Sequence, residues 1–268
     1  MAAKKIAVAG ATGRVGHHVV DVLTERGYEV VPMSRSGGVD VITGEGLAAA
    51  LDGVDTVIDT ATGPSAEQQP ATEFFTTAAR NLQQAGHHAG VRELVVVSII
   101  GTDRFSGGYG AAKVAHEQAA LAGPVPARIL RAAQFHEFVA QLVDWGTRDD
   151  VAYVPKMRTQ LVAARTVAQT LADIATGVIA TGVIDADRTG DAKAGADGRP
   201  FLEVAGPREE SLVEMATLLA ARRGQPSRIE GVSDPSDVDG VNESGGLLPG
   251  PGAILAGPTF KEWLDATS

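Results

Sequence analysis

Three residues in this sequence have types and a spacing that could move a proton. Ser98 ends the apolar run 94–97, Tyr109 opens the stretch "YGAAKVAHE", and Lys113 follows Tyr109 by four residues. Four residues make about one helical turn, so Tyr109 and Lys113 would share one helix face. A phenol beside a carbonyl can donate its proton to the oxygen that gains charge as a hydride reaches the carbon. To do so it needs its ordinary pKa of about 10 lowered. Lys113, together with the positive ring of an oxidised nicotinamide, would do that, and the same amine could hold the cofactor ribose. Ser98 would hydrogen-bond the substrate oxygen and fix it.

Such chemistry needs a hydride donor, and the N-terminus offers a place for one. "VAGATGRVGHH" sets Gly10, Gly13 and Gly16 directly behind an apolar run beginning at Ile6. This Gly-x-x-Gly-x-x-Gly spacing differs from the tighter Gly-x-Gly-x-x-Gly fingerprint but shares its strand-turn-helix context. Gly10 would supply a positive φ, Gly13 a close backbone approach to phosphates, and Gly16 room for the helix to pack on the strand. Amides after Thr12, on Gly13, Arg14, Val15 and Gly16, would then face a diphosphate at the positive end of a helix.

The end of the second strand chooses between nicotinamide cofactors. An acidic residue there would bind the ribose hydroxyls of NAD, and an arginine would accept the extra phosphate of NADP. Ser34 and Arg35 stand at that end, and Arg14 is expected to approach the same phosphate, so the charge logic favours NADP(H). Glu29 lies at the wrong end of the strand. Asp40 and Val41 are expected beside the adenine, and Thr60, Ala61 and Thr62 where the middle of the cofactor passes. Gln134, Phe135 and His136 follow a strand at the ligand-binding edge and are candidates for the substrate pocket. The adjacent pairs His17-His18 and His87-His88 point apart on helices, so no metal site is expected.

The elements needed to position these residues are legible as a rhythm. Short β-branched runs at 6–9, 29–33, 39–42, 56–59, 94–98 and 128–130 alternate with helical patterns at 15–26, 66–89, 110–122 and 135–145. This is the α/β pattern of a Rossmann-like, doubly wound parallel sheet. Beyond residue 150 come a strand near Tyr153, a helix over 166–179 and a polar stretch at 185–199 that reads as an exposed loop. "RPFLEVAGPREESLVEMATLLAARRG" then supplies a strand, a turn and an amphipathic helix. The division expected is a dinucleotide-binding domain over 1–150 and a small C-terminal α+β cap over 151–268. Tyr153, Met157 and the Gly/Pro-rich segment 233–258 would be pocket walls or a lid.

Composition narrows the partners. A formal net charge of -10 argues against nucleic acid and anionic membrane surfaces, because phosphate polymers need a basic field. With no cysteine the chain has neither disulfides nor thiolate chemistry, which fits a reducing compartment. The start is too short for a secretory signal and no apolar run spans a bilayer, so a cytoplasmic protein with a small-molecule substrate is expected. A homo-oligomer is compatible with the sequence.

"GATGRVG", "VVVSIIG", "YGAAK" and "ILRAAQFHEF" together resemble the short-chain dehydrogenase/reductase superfamily, within its atypical, NmrA-like NAD(P)H-binding branch. The resemblance runs through "AGPREESLVEMA" and "GPTFKEWL" near the C-terminus. It implies a Ser-Tyr-Lys set on Ser98, Tyr109 and Lys113 and a cofactor turn on Gly10, Gly13 and Gly16. The implied activity is NADPH-dependent reduction of a small apolar carbonyl, quinone or enone. The branch also contains members that bind the cofactor and report redox state to a partner, which commonly lack the tyrosine. There are two departures from the pattern: a shorter interval from Ser98 to Tyr109, and no position for the helical asparagine of the superfamily's proton relay. Asn81 reads as a structural helix residue. A sugar-nucleotide epimerase or dehydratase would want a cationic C-terminal site, and none is legible.

Overall fold

The structure, a computed structural model, describes residues 4–179, 201–235 and 237–267. The polar stretch 185–199 lies outside the described residues. β1 (Lys5–Ala9) leads through the glycine turn into α1 (Gly16–Glu25). β2 (Glu29–Met33), a short α2 (Leu47–Ala50), β3 (Thr56–Asp59), α3 (Gln68–Ala89), β4 (Glu93–Ile99), α4 (Gly108–Leu121), β5 (Ala127–Ala132) and α5 (His136–Gly146) follow. The later elements are β6 (Thr147–Arg148), β7 (Val151–Pro155), β8 (Arg158–Thr159), α6 (Ala164–Thr176), β9 (Phe201–Ala205) and β10 (Glu210–Ser211). They end with α7 (Leu212–Arg223), β11 (Arg228–Val232), α8 (Val241–Ser244), β12 (Ile254–Leu255) and α9 (Phe260–Ala266).

Seven strands form one parallel sheet in the order β12-β9-β5-β4-β3-β1-β2. Ile6, Ala7, Val8 and Ala9 are all fully buried, as a central parallel strand covered on both faces requires. Val19, Val22 and Leu23 of α1 and Val167, Leu171 and Ile174 of α6 cover one face. Leu82 of α3, Ala120 of α4 and Leu47 of α2 cover the other. The chain runs outward from β1 to β2 and then returns to β3 on the far side of β1. The order therefore reverses between β1 and β3, and a crevice opens at their carboxyl ends, where such sheets take ligands.

Two expectations need correction. Residues 39–42 form a turn, not a strand: the Asp40 carboxylate accepts from the amide of Ile42 at 2.7 Å, and the Gly44 amide closes on Asp40 O at 2.9 Å. This local Asx bonding outcompetes a four-residue β-branched run. Asn81 confirms its structural reading by clamping that turn, donating to Val41 O at 2.9 Å and Ile42 O at 2.8 Å. The division at residue 150 is not sequential either. α6, β9 and β12 return to the large sheet, while α5 joins β6, β7, β11, α7 and α9 in the cap, around Val139, Val154, Leu212 and Phe260. No helix among the described residues is long and apolar enough to cross a membrane.

Candidate cofactor crevice and active site

The first wall of the crevice is made of backbone. Gly10 has φ +74°, and a Cβ there would stand 2.8 Å from the backbone of Ala61. A Cβ on Gly16 would lie 2.1 Å from Gly10 O and 2.7 Å from Thr60 Oγ1, so α1 meets the strand ends with no room for a side chain. Thr60 braces this contact by donating to Ala9 O at 2.7 Å, and the Ala61 amide donates to Asp59 Oδ1 at 2.9 Å. Thr60 and Ala61 thus hold the turn in shape. The amides of Gly13 and His17 are spent on Gly10 O and Gly13 O. Those of Arg14, Val15 and Gly16 donate to no backbone carbonyl among the described residues, and Val15 caps α1 without a side-chain bond. Free amides at a helix N-terminus suit a diphosphate.

At the end of β2, Arg35 is exposed and opens a 3-10 turn over Arg35–Gly37, capped by Ser34, whose Oγ accepts from the Gly37 amide at 3.2 Å. Arg14 takes another course from the one expected. Its guanidinium donates to Gln141 Oε1 of α5 at 2.7 Å, bridging the glycine turn to the cap instead of joining Arg35. Asp40 is occupied by its own turn, as described.

The second wall comes from β3, β4 and α4. Ser98, at the carboxyl end of β4, is 3% exposed, and its Oγ has no hydrogen-bond partner among the described residues. Tyr109 lies in the first turn of α4 with its hydroxyl 3.5 Å from Thr62 Oγ1 and its ring edge-on to Phe75. Burial raises the Tyr109 phenol above its ordinary value, against a smaller lowering by Thr62. The expected lowering by Lys113 is not present in this state. Lys113 turns inward: it donates to Val97 O at 3.0 Å, sits 2.9 Å from His116 Nδ1, and lies over the Phe75 ring. Burial pushes its amine down to about 8, opposed by Asp59 and then Glu117.

Sequence reasoning missed the groups beneath this wall. His116 Nε2 is 3.1 Å from Asp59 Oδ2, with both side chains 1% exposed. Glu117 receives Arg131 of β5 on both oxygens, at 2.9 and 2.7 Å. "KVAHE" held the signal, since positions three and four after a lysine share its helix face. The strand residue that meets them lies 57 positions away, from His116 back to Asp59, and no local pattern points to it.

The three pocket candidates after β5 separate. Gln134 accepts a hydrogen bond from Thr159 Oγ1 through its Oε1, and Phe135 pairs with Val162 as an isolated bridge. His136 is fully buried, donates from Nε2 to Pro258 O at 3.1 Å, and packs on Phe260 and Trp263. Burial pushes it down to about 4, so it is a neutral cap-core residue and not the pocket residue expected. The 233–258 segment docks beside the candidate site. Asp239 accepts from both the amide and the hydroxyl of Ser106, at 2.8 and 2.7 Å, and Gly246 O closes on Gly101.

Residues 10–122 match the family model described as NAD(P)H-binding. Solved structures extend the likeness over the whole chain. A GDP-6-OMe-4-keto-L-xylo-heptose reductase from C. jejuni is 14% identical, covers 100% of this chain and 99% of its own, and has a TM-score of 0.70. MoeE5 in complex with UDP-glucose and NAD is 19% identical over 98% and 99% of the two chains, with a TM-score of 0.63. A new type of NADPH-dependent quinone oxidoreductase (QOR2) from Escherichia coli is 16% identical over 98% and 99%, also at 0.63. At these identities the likeness is one of fold, a Rossmann-like parallel sheet with flanking helices. No curated protein sequence matches the chain.

Proposed function

We propose that the protein is an NADPH-dependent oxidoreductase that reduces a small apolar carbonyl, quinone or enone, with Tyr109 as proton donor. The observation that carries this reading is the buried, unpartnered hydroxyl of Ser98 at the carboxyl end of β4, beside the helix that bears Tyr109 and Lys113. A buried hydroxyl without a partner costs about 1–3 kcal/mol, and a substrate oxygen would relieve that cost.

Bound NADPH supplies a hydride. The free amides of Arg14, Val15 and Gly16 hold the diphosphate, and Arg35 meets the additional phosphate on the ribose. Ser98 donates to the substrate oxygen and fixes its distance from Tyr109. Tyr109 gives that oxygen its proton, so the alcohol or hydroquinone leaves neutral, and solvent reprotonates the phenolate. The raised value of the phenol keeps it protonated at neutral pH until the developing alkoxide, the more basic group, takes the proton. Lys113 does not lower the phenol in this state and would favour the phenolate once its remaining N–H turns towards that oxygen.

A second reading, a cofactor-binding redox sensor, is favoured by one observation. Lys113 is turned onto Val97 O and His116, and the partner of Tyr109 is Thr62. The test is NADPH oxidation against a panel of quinones, aldehydes and enones, with Tyr109→Phe alongside. The catalytic reading expects turnover with at least one acceptor and a loss of about 10²–10⁴-fold in the variant. Equal rates in the variant overturn the tyrosine role, and tight NADPH binding without turnover of any acceptor supports the sensor. Titrating NADPH and NADH into Arg35→Ala tests cofactor choice, since an unchanged preference removes Arg35 from phosphate binding.

A further inference from the structure

We propose that Asp59 and His116 are a buried positioning pair for Lys113, fixing the direction of its ammonium and holding its positive charge beneath the cofactor crevice. The role assigned to Lys113 rests on the catalytic reading above, but the pair itself can be tested without turnover.

Donor and acceptor logic allows one arrangement. A carboxylate only accepts, so His116 Nε2, 3.1 Å from Asp59 Oδ2, carries the proton and donates it. An ammonium only donates, so Nδ1, 2.9 Å from Lys113 Nζ, is the bare nitrogen that accepts. Neutral imidazole in this tautomer satisfies both partners. An imidazolium would set an N–H against the ammonium, in line with the lowering of His116 by burial first and then by Lys113. Two of the three ammonium donors are thereby spent, on Val97 O and Nδ1. A third is left for a ribose or phenol oxygen.

The charges around Lys113 come from each packed element. From β3 there is Asp59, and from α4 there are Glu117, His116 and Tyr109. β4 contributes the Val97 carbonyl. From α3 comes Phe75, which stacks on His116 at 4.7 Å between ring centres and lies 4.3 Å below Nζ. Glu117 is held by Arg131 of β5, which also meets Asp103 at 3.0 Å. Asp59 pairs with no cation directly among the described residues. Its carboxylate takes the Ala61 amide and the imidazole, and its countercharge is Lys113, one ring away. An amine sealed from water this completely would shed its proton without a buried anion to oppose it.

The test uses the protein labelled with [15N]lysine and [15N]histidine, with the Lys113 Nζ signal assigned by its loss in Lys113→Met and followed through pH. Asp59→Asn should lower the Lys113 midpoint by at least one unit, a tenfold change in its proton affinity. His116→Gln, whose amide can donate to Asp59 and accept from Lys113, should keep the midpoint near that of the unaltered protein. An unchanged midpoint in Asp59→Asn overturns the proposal. Should that variant fail to fold, the 15N shifts of the His116 ring in the unaltered protein decide the matter. A bare Nδ1 and a protonated Nε2 at pH 7 support the pair, and the opposite tautomer or an imidazolium overturns it. The pH profile of NADPH-dependent turnover separates this from the catalytic reading. A midpoint that moves while the profile stays fixed leaves the pair standing and removes Lys113 from catalysis.

Discussion

In the proposed site, the groups at the glycine turn are backbone amides shaped by missing side chains, whereas beneath α4 they are side chains delivered by β3, β4 and α4 itself. The turn is short-range: Gly10, Gly13 and Gly16 act within seven residues, and Thr60 and Ala61 only brace them. The floor is long-range and low in solvent, so each charge there depends on a partner from a distant segment. The two regions should therefore fail differently when altered, the turn by steric conflict and the floor through protonation.

The largest effect is expected at Gly16. In Gly16→Ala the new methyl would have to displace Gly10 O, 2.1 Å away, and Thr60 Oγ1. Both belong to the packed strand ends, so overpacking should cost about 3 kcal/mol or more. Urea denaturation would register it, and cofactor binding should be lost with it. A stable Gly16→Ala protein that binds NADPH normally would mean that the turn is not the rigid cradle described.

Lys113→Met probes the floor and should act through pH. The amine stands at about 8 in the folded protein against 10.5 for an ordinary lysine, so the fold disfavours its charged form. Between those values the unfolded chain binds more protons, and the contribution of this group to stability rises with pH from about 8 to 10.5. Below that window the buried ammonium costs about 3 kcal/mol, at 1.4 kcal/mol per pKa unit. Lys113→Met should thus lose this rise: measured against the parent, the variant should stand about 3 kcal/mol worse at pH 10.5 than at pH 7, on top of a constant cost from leaving Asp59 without its countercharge. Denaturation curves at several pH values would show the divergence, and a stability difference that does not change between pH 8 and 10.5 would contradict a net burial cost.

This contrast also explains what was legible in the sequence. The shape of the turn was legible because it resides in glycine spacing behind an apolar strand, both of which are local. Tyr109 and Lys113 were legible as types on one face, but not the inward turn of Lys113, which Val97 O and His116 decide through tertiary contact. Arg14 was misplaced for the same reason, since Gln141 lies 127 residues on. Residues 39–42 had strand composition, and Asp40 made a turn of them. The return of α6, β9 and β12 to the main sheet had no local marker.

His136 extends the comparison to the cap, where burial again sets protonation. Its ring stands at about 4 against 6.5 for an ordinary histidine. The unfolded chain therefore binds the proton first as pH falls, and stability present above 6.5 is lost on the way down to about 4. The loss attributable to this group should approach 3 kcal/mol at the acid end. His136→Gln, able to keep a donor on Pro258 O, should flatten that acid slope while leaving stability at pH 7 within about 1 kcal/mol. An acid slope unchanged in the variant would assign the loss to other groups.

The smallest effect on the fold, and the sharpest separation of fold from binding, belongs to Gly13. Its φ is not in the left-handed region, and an added Cβ would meet only Gly10 O, at 3.1 Å. A few tenths of an ångström of adjustment accommodates it, so Gly13→Ala should change stability by less than about 1 kcal/mol. The same methyl would stand where a diphosphate must approach the amides of Arg14, Val15 and Gly16, so NADPH affinity, read by fluorescence titration, should fall at least tenfold. Affinity lost without stability would show that the turn's backbone is shaped for a ligand as well as for packing. A variant that lost neither would move the diphosphate away from this turn.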